Sequence, residues 1–294
     1  MLPLDRRRAL EKIVAMSERG WCPFARQHRG YGREGPFGYP AGKHGQNRPV
    51  IFVDHRMAGF KHTLDDDSWR HRNGVSVHFG IGRDGSVDQY ISIFDAGWGN
   101  GVGRPISRYD RSNPRLAMLE TLGTWRAVTM RGYTTYALIS ESGVNVINTH
   151  SISIEHEDEG RDQPWTDAMI DATVRVKRWC LHELARAAMP MTADEHMLVG
   201  HHQIDATDRA SCPGRYWPRQ RILAALMKGE KMPTAEYEEL FRRDEEIKTV
   251  LALVNTRVEQ LQNLMKLVIP LIAKDEPEEN TKIKELLAAL GGGG

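Results

Sequence analysis

The stretch Arg48-Pro-Val-Ile-Phe-Val-Asp-His55 contains four consecutive large apolar residues after a proline. A short apolar run that follows a proline predicts a buried β-strand. His55 then lies at the C-terminal end of that strand, where the strands of open α/β sheets present their ligands. The stretch therefore predicts a buried strand that ends in a polar side chain, at the position where α/β folds present their ligands.

Further elements follow along the chain. Residues 75–82 and 86–93 alternate in polarity around Arg83-Asp-Gly85, and Asp-Gly between two such segments predicts a β-hairpin. The remaining patterns predict a central strand over 148–157, a helix over 167–188, a strand over 197–199 and a helix over 215–227. Residues 19–49 and 95–135 are predicted to be loop-rich, with Trp98 and Trp125 as either substrate platforms or core residues.

The ends of the chain carry helical patterns. Residues 4–18 predict a short amphipathic helix. From 240 to 272, two interleaved sets of apolar residues each recur every seven positions, which predicts a coiled coil and hence a homo-oligomer. A short amphipathic helix is predicted over 280–290. The alternative for 240–272 is a helix packed back on the preceding domain. The expected domains are residues 1–230 and a helical tail, 231–294.

Composition narrows the class of protein. The chain has 294 residues, 40% of them apolar and 27% charged, as is ordinary for a globular protein, and its net charge is only +1. Without a clustered basic face, no nucleic-acid partner is expected.

Cys22 and Cys180 are predicted to be structural. Neither a signal peptide nor a membrane-spanning run is recognisable, so no membrane partner is expected.

The stretch Val199-Gly-His-His-Gln-Ile-Asp-Ala-Thr-Asp-Arg-Ala-Ser-Cys-Pro-Gly214 indicates a metal site. Imidazole and thiolate are good zinc ligands, and a catalytic zinc typically takes three protein ligands. Together with His55, the candidates are His201 and Cys212. By residue chemistry alone, His202 competes with His201, while Asp205 and Asp208 compete with Cys212.

Four segments occur in the order found in one family: the strand ending at His55, Val77-His-Phe-Gly-Ile-Gly-Arg-Asp-Gly85, Ser151-Ile-Ser-Ile-Glu155, and the stretch 199–214. Over residues 48–225 the chain resembles the type 2 N-acetylmuramoyl-L-alanine amidases, which include phage endolysins and peptidoglycan recognition proteins. The resemblance implies a mixed central β-sheet flanked by helices. It also implies one zinc ion per chain, held by His55, His201 and Cys212.

The resemblance also implies catalytic roles. Glu155 matches an acidic catalytic position, and a carboxylate beside the metal can accept a proton from water and pass it to the leaving amine. Glu157 is expected on the same strand face and His156 on the opposite one. A solvated acidic strand end is the alternative.

Two positions depart from the family pattern. Val77 stands where many members have tyrosine, and Ala210 where many have a lysine that stabilises the oxyanion. Thr207 is predicted to be catalytic in place of that lysine, with Arg209 as the alternative.

The implied function is cleavage of the amide between N-acetylmuramic acid and the L-alanine of the stem peptide, with bacterial peptidoglycan as the partner. The expected context is a phage endolysin that stays in the host cytoplasm until the membrane is opened by a holin. The main alternative is a recognition module that binds peptidoglycan without cutting it, and a further one is a cytoplasmic amidase that recycles wall fragments.

Overall fold

A computed structural model of the chain describes residues 20–28, 47–60, 76–102, 109–130 and 133–228. All of them lie in the first of two units, Met1–Met232 and Pro233–Gly294. The helices predicted over 4–18 and 280–290, the coiled coil over 240–272 and the tail domain as a whole lie outside the described residues. These four expectations, together with the domain boundary at 230, stay predictions.

The described residues contain eight strands, four α-helices and a 3-10 turn. The strands are β1 (Arg26–Gln27), β2 (Ile51–Arg56), β3 (Phe79–Ile81), β4 (Val87–Gln89), β5 (Thr124–Met130), β6 (Tyr133–Ile139), β7 (Ser151–His156) and β8 (Leu198–Gly200). The helices are α1 (Pro114–Glu120), α2 (Asp167–Arg186), α3 (His201–Ile204) and α4 (Arg219–Met227), with the 3-10 turn at Glu195–Met197.

Six of the strands form one mixed sheet in the order β1-β4-β3-β7-β2-β8. Only the β3–β4 hairpin is antiparallel, and the other four pairings are parallel. Strand β7 is central, as the sequence predicts, and the turn of the hairpin contains Gly85 at φ 81°. The predicted mixed α/β fold with helices beside a central sheet is therefore confirmed for the described part of the chain.

The two faces of the sheet are covered by different elements. On β2, Ile51 and Val53 belong to a buried cluster with Leu116 of α1 and Leu138 of β6. Because side chains alternate along a strand, Phe52 and Asp54 point to the other face. There Lys177 of α2 forms a buried salt bridge with Asp54. The side chain of His55 points to the same face as those of Ile51 and Val53, so it lies on the face away from α2.

Helix α2 is the longest described helix, and its start follows from the sequence. Thr166 caps it by accepting a hydrogen bond from the Met169 N–H at 3.1 Å. Trp179 is fully buried and packs edge-on against Phe79 of β3, with ring centroids 6.2 Å apart. This contact fixes α2 against the sheet.

The prediction of a loop-rich 95–135 is wrong in part. That region contains α1 and β5, and β5 pairs with β6 in a separate two-stranded antiparallel sheet. Two-turn α1 is too short for a helical period to stand out, and β5 is mostly exposed, so its apolar alternation is weak. Helix α4 begins at Arg219 rather than 215, since Pro218 occupies the N-cap position.

Cys22 and Cys180 are both fully buried, which confirms their structural reading. Residues 20–28 lie within the predicted loop 19–49 and contribute β1, which pairs with β4 at the edge of the sheet. None of the helices in the described part of the chain has the length and apolar character needed to cross a membrane.

Candidate metal centre

Strand pairing brings the candidate ligands to one edge of the sheet. His55 and Glu155 are register partners on the parallel strands β2 and β7. On the other side of β2, Asp54 pairs with Gly200 at the end of β8, so His201 begins helix α3 directly beside His55. The carboxyl ends of three neighbouring strands thus place two histidines and a carboxyl group together.

His55, His201 and Cys212 form a compact cluster. Their ligand atoms all lie within 4.8 Å of one another. The Nδ1 atom of His55 is 3.9 Å from the Cys212 Sγ, and the two imidazole rings meet edge-on with centroids 4.5 Å apart. Both histidines are buried and Cys212 is half-buried.

Hydrogen bonds orient both imidazoles. The Nε2 atom of His55 lies 2.9 Å from the Asn100 Oδ1, and the Nε2 atom of His201 lies 2.9 Å from the Gly101 carbonyl oxygen. Both partner atoms are acceptors, so each Nε2 carries the proton. The Nδ1 atom of each ring then has a free lone pair, which is the form that binds a metal.

Backbone contacts hold Cys212 in place. Its Sγ accepts a hydrogen bond from the Arg56 N–H at 3.3 Å. Its carbonyl oxygen accepts bonds from the His202 N–H at 2.9 Å and from the His202 Nδ1 at 2.8 Å. Farther along the same loop, Trp217 donates from Nε1 to Asp54 Oδ2 at 3.0 Å. The thiol is therefore fixed to the end of β2, and His202 supports the loop that carries it.

The structure separates the alternatives for the ligand set. His202 directs Nδ1 at the Cys212 carbonyl oxygen and packs its ring edge-on against Trp217. Asp205 Oδ1 accepts the backbone N–H groups of Thr207 and Asp208 at 3.1 and 3.0 Å, so it caps a turn. Among the described residues, only His55, His201 and Cys212 form a cluster of metal-ligand type.

The cluster fits a divalent metal such as zinc. Two neutral imidazoles and one thiol are a donor set that zinc prefers. Burial lowers the pKa of His55 well below its usual range and lowers that of His201 to about 3, so both stay neutral. Burial and the nearby Glu155 raise the pKa of the Cys212 thiol to about 12. A bound cation would reverse that last preference, since it stabilises the thiolate.

Glu155 lies beside this cluster. Its Oε1 is 4.0 Å from the His55 Nδ1, and its Oε2 is buried without a hydrogen-bond partner among the described residues. Burial raises its pKa to about 8, while the charge of Arg209 opposes the shift. A carboxyl group held in this way can exchange a proton with a group bound at the cluster.

The neighbours of Glu155 have other partners. Glu157 accepts the Arg83 N–H at 2.8 Å through its Oε2, and this bond ties β7 to the turn of the hairpin. His156 points to the opposite face, as predicted, where its Nε2 lies 3.1 Å from the Thr173 Oγ1 and its ring stacks on Trp165. The solvated acidic strand end is therefore excluded for Glu155, which is only 8% exposed.

Residues 45–215 match the sequence model of the N-acetylmuramoyl-L-alanine amidase family. The chain belongs to this amidase family. The match spans β2, the hairpin, β7 and the loop that carries Cys212, so it contains every residue of the cluster. Membership supports amidase activity on peptidoglycan.

Solved structures of amidases align with the chain at low identity. A selenomethionine derivative of AmpD is 20% identical over 71% of this chain and 97% of its own, with a TM-score of 0.42. LysC from Clostridium intestinale URNW is 15% identical over 62% and 87%, with a TM-score of 0.36. AmiD from E. coli, in complex with anhydro-N-acetylmuramic acid-L-Ala-D-gamma-Glu-L-Lys, is 20% identical over 60% and 57%, with a TM-score of 0.37. None of the curated protein sequences compared with the chain matches it significantly.

The positions that depart from the family pattern lie in different surroundings. Val77 is fully buried and packs with Tyr90 and Ile91. Ala210 is exposed, as are Thr207 and Arg209. The positive charge of Arg209 opposes the burial that raises the pKa values of Glu155 and Cys212, so this charge acts on both side chains. The contact described for Thr207 is the hydrogen bond from its backbone N–H to the Asp205 Oδ1. The catalytic role of Thr207 stays a prediction, as does that of Arg209.

Of the two tryptophans named as substrate platforms or core residues, Trp125 belongs with the core. Its ring packs edge-on against Tyr109 at 5.5 Å, and its Nε1 donates to Glu120 Oε1 at 3.2 Å. Trp98 is half-buried, and its backbone N–H donates to the Ser76 Oγ at 2.9 Å.

Sequence reasoning missed Asn100 and Gly101, although both contact candidate ligands. They lie in Gly97-Trp-Gly-Asn-Gly101, where three glycines indicate a loop and conceal the polar residue among them. The available signal was the pair Ser151 and Ser153 on one face of β7, since small polar residues inside a buried strand need a polar partner.

Proposed function

We propose that this chain is a zinc-dependent peptidoglycan amidase that hydrolyses the bond between the lactyl group of N-acetylmuramic acid and the L-alanine of the stem peptide. One observation carries the proposal: the ligand atoms of His55, His201 and Cys212 lie within 4.8 Å of one another, beside the buried carboxyl group of Glu155. Family membership supports the same reaction.

In this proposal His55, His201 and Cys212 hold one zinc ion. A zinc ion at such a site supplies a Lewis acid that polarises a carbonyl oxygen and makes water more acidic. The three ligands are carried by β2, by the start of α3 and by the loop before α4, so the sheet fixes their relative positions. Asn100 and Gly101 each lie 2.9 Å from the Nε2 of one of these histidines.

Glu155 acts as the general base, in the carboxylate form that a bound cation would favour, and then as the general acid. Its Oε2, which lacks a hydrogen-bond partner among the described residues, takes a proton from the attacking water while the new carbon–oxygen bond forms. It then delivers that proton to the amide nitrogen as the carbon–nitrogen bond breaks. The products are a lactyl carboxylate on the sugar and a free amine on L-alanine.

Arg209 supplies positive charge for the oxyanion that develops on the carbonyl oxygen. It belongs to the turn that ends at Cys212, since its carbonyl oxygen accepts the Cys212 N–H at 2.9 Å. Its charge acts on Glu155, Cys212 and His201 alike. A guanidinium in this position takes the role that lysine plays in many relatives, where this chain has Ala210.

The cellular role proposed here is that of a phage endolysin that reaches the wall after holin-type release. Cys212 supports a wall-degrading enzyme, because the amidases that recycle wall fragments usually have aspartate as the third ligand. The two roles predict different substrates. An endolysin digests intact sacculi, whereas a recycling enzyme prefers soluble muropeptides, so a comparison of the two rates separates them.

The experiment for the reaction is digestion of purified peptidoglycan by the full chain, followed by mass analysis of the soluble fragments. The proposal expects intact stem peptides that carry a free L-alanine amine. Cuts within the glycan or inside the stem peptide would contradict it. Binding to the wall without any release would also contradict it and would favour the recognition module.

A further inference from the structure

Two consecutive residues contact the outer nitrogens of both candidate histidine ligands. Asn100 lies 2.9 Å from the His55 Nε2 through its Oδ1, and Gly101 lies 2.9 Å from the His201 Nε2 through its carbonyl oxygen. The chain thus passes the cluster once and contacts the Nε2 of each imidazole. We call this pair of residues the Asn100–Gly101 clamp.

The two contacts differ in how they select a tautomer. A carbonyl oxygen only accepts hydrogen bonds, so Gly101 fixes the proton of His201 on Nε2. Asn100 achieves the same for His55 only while its oxygen, and not its amide nitrogen, faces the ring. The reversed amide would place a donor against Nε2 and move the imidazole proton to Nδ1, toward Cys212 and Glu155.

A buried network holds the Asn100 side chain in place, and the Ser153 hydroxyl also donates to its Oδ1 at 3.3 Å. Its Nδ2 donates to the Ser151 Oγ at 2.7 Å and to the Ser153 Oγ at 3.0 Å, and both serines lie on β7. Its backbone N–H donates to the Asn148 Oδ1 at 3.2 Å. Asn100 is 1% exposed, so water does not compete for these bonds.

The hairpin formed by β5 and β6 supports the other end of the clamp. The carbonyl oxygen of Val102, the residue after Gly101, accepts the Tyr136 N–H at 2.7 Å and also the Thr135 hydroxyl. Val102 is buried in the same cluster as Val53 and Leu138. The β5–β6 sheet thereby holds Val102, and this contact helps to fix the position of the adjacent Gly101.

We propose that Asn100 and Gly101 are positioning residues that preorganise His55 and His201 for the metal by fixing both imidazoles in the Nε2–H tautomer. The proposal rests on the metal site of the proposed function. Groups that bind the second nitrogen of a ligating histidine set its orientation and basicity, and their loss typically lowers metal affinity about 10- to 100-fold. Asn100 is expected to have an effect of that size.

Three variants of the full chain separate positioning from stability. Asn100→Leu removes the acceptor, and Asn100→Asp keeps an oxygen facing His55. Asn47→Leu is the matched control, because Asn47 is a fully buried asparagine that donates to the Ile93 and Ser151 carbonyl oxygens and has no described contact with the cluster. Zinc affinity is measured by competition with a chromophoric chelator, and unfolding of the metal-free proteins is followed in parallel.

The proposal expects Asn100→Leu to bind zinc about 10- to 100-fold more weakly than wild type, with Asn100→Asp retaining most of the affinity. Asn47→Leu should lose stability but bind zinc as wild type does. Equal affinity in Asn100→Leu and wild type, or an equal loss in Asn47→Leu, would overturn the positioning role of Asn100.

A second readout does not depend on metal. Two-bond proton–nitrogen NMR spectra of the metal-free protein report which ring nitrogen is protonated. Wild type should show the Nε2–H form for both histidines, and Asn100→Leu should lose it for His55 while His201 keeps it. A proton on the Nδ1 of His55 in wild type would overturn the proposal. If wild type binds no zinc, the proposed function fails, and these spectra still decide the clamp.

Discussion

Glu155 and His55 face each other across two neighbouring parallel strands, with the Glu155 Oε1 4.0 Å from the His55 Nδ1. This pairing puts a buried carboxyl group beside the candidate metal ligands. It depends only on strand register, so a slip of one residue would turn Glu155 to the face covered by α2. The sheet therefore determines where the proposed acid–base group lies.

Glu155→Gln is expected to lower kcat for wall hydrolysis by about 10²- to 10⁴-fold, because the amide keeps the shape of the side chain but cannot transfer the proton. Zinc content should be unchanged, since the three ligands remain. The measurement is the rate of amine release together with metal analysis. Glu157→Gln is the matched control: it changes a carboxylate that bonds the Arg83 N–H and should retain activity. Equal rates in Glu155→Gln and wild type would exclude the assigned role.

Arg209→Ala is expected to lower kcat by about 10²- to 10³-fold, the usual effect of removing one group that stabilises an oxyanion. Arg209→Lys should recover part of the rate because it restores the charge. Thr207→Ala tests the residue that the sequence predicts for this role. If Thr207→Ala loses more activity than Arg209→Ala, then the assignment to Arg209 is incorrect and the sequence-based one holds.

The fold could largely be predicted because its elements carry strong local signals. The apolar run before His55, the Asp-Gly turn and the capped helix α2 all appear where their patterns indicate. Elements whose stability comes from tertiary contacts were missed. The β5–β6 hairpin is half-exposed and rich in threonine, and α1 has only two turns, so neither has a period that stands out from the sequence.

From residue chemistry and spacing, the ligand cluster could be predicted only as one of several possible combinations of ligands. Spacing cannot tell His201 from His202, because adjacent residues at a helix start differ only in the direction of their side chains. The structure favours His201, since His202 turns to the Cys212 carbonyl oxygen. Asn100 could not be found in this way. Its contact with His55 joins residues 45 positions apart and has no local pattern.

His78 is expected to make the protein less stable in mild acid. Its Nδ1 accepts the Ser153 N–H at 3.0 Å and its Nε2 faces the Asp95 carbonyl oxygen at 2.9 Å, so the folded state has no room for a second proton. Burial lowers the pKa of His78 from 6.5 to about 4. Below pH 6.5 the unfolded chain takes up a proton that the folded protein does not. The contribution of His78 to the free energy of unfolding is therefore fully present above pH 6.5. This contribution falls by about 3 kcal/mol by pH 4.

The measurement is the free energy of unfolding in urea between pH 7 and pH 4.5. His78→Asn keeps an acceptor for the Ser153 N–H and removes the titrating group, so its free energy should fall less steeply with acid than that of wild type. Identical slopes in the two proteins would contradict the prediction.

Deleting residues 235–294 is expected to convert an oligomer into a monomer, because the apolar seam over 240–272 is removed. Light scattering of the full and shortened chains measures the change in mass. The shortened chain should still bind one zinc ion per chain, which serves as the control for folding. An unchanged number of chains per particle would rule out oligomerisation through this seam.

The central claim is that His55, His201 and Cys212 hold the metal on which amide cleavage depends. The most direct measurement compares wild type with Cys212→Ala in zinc content and in wall hydrolysis, before and after chelation and with zinc added back. The account predicts one zinc per wild-type chain, activity that chelation abolishes and zinc restores, and a folded Cys212→Ala protein that lacks both stoichiometric zinc and hydrolysis. Full activity in Cys212→Ala, or wild-type hydrolysis that persists without metal, would contradict it.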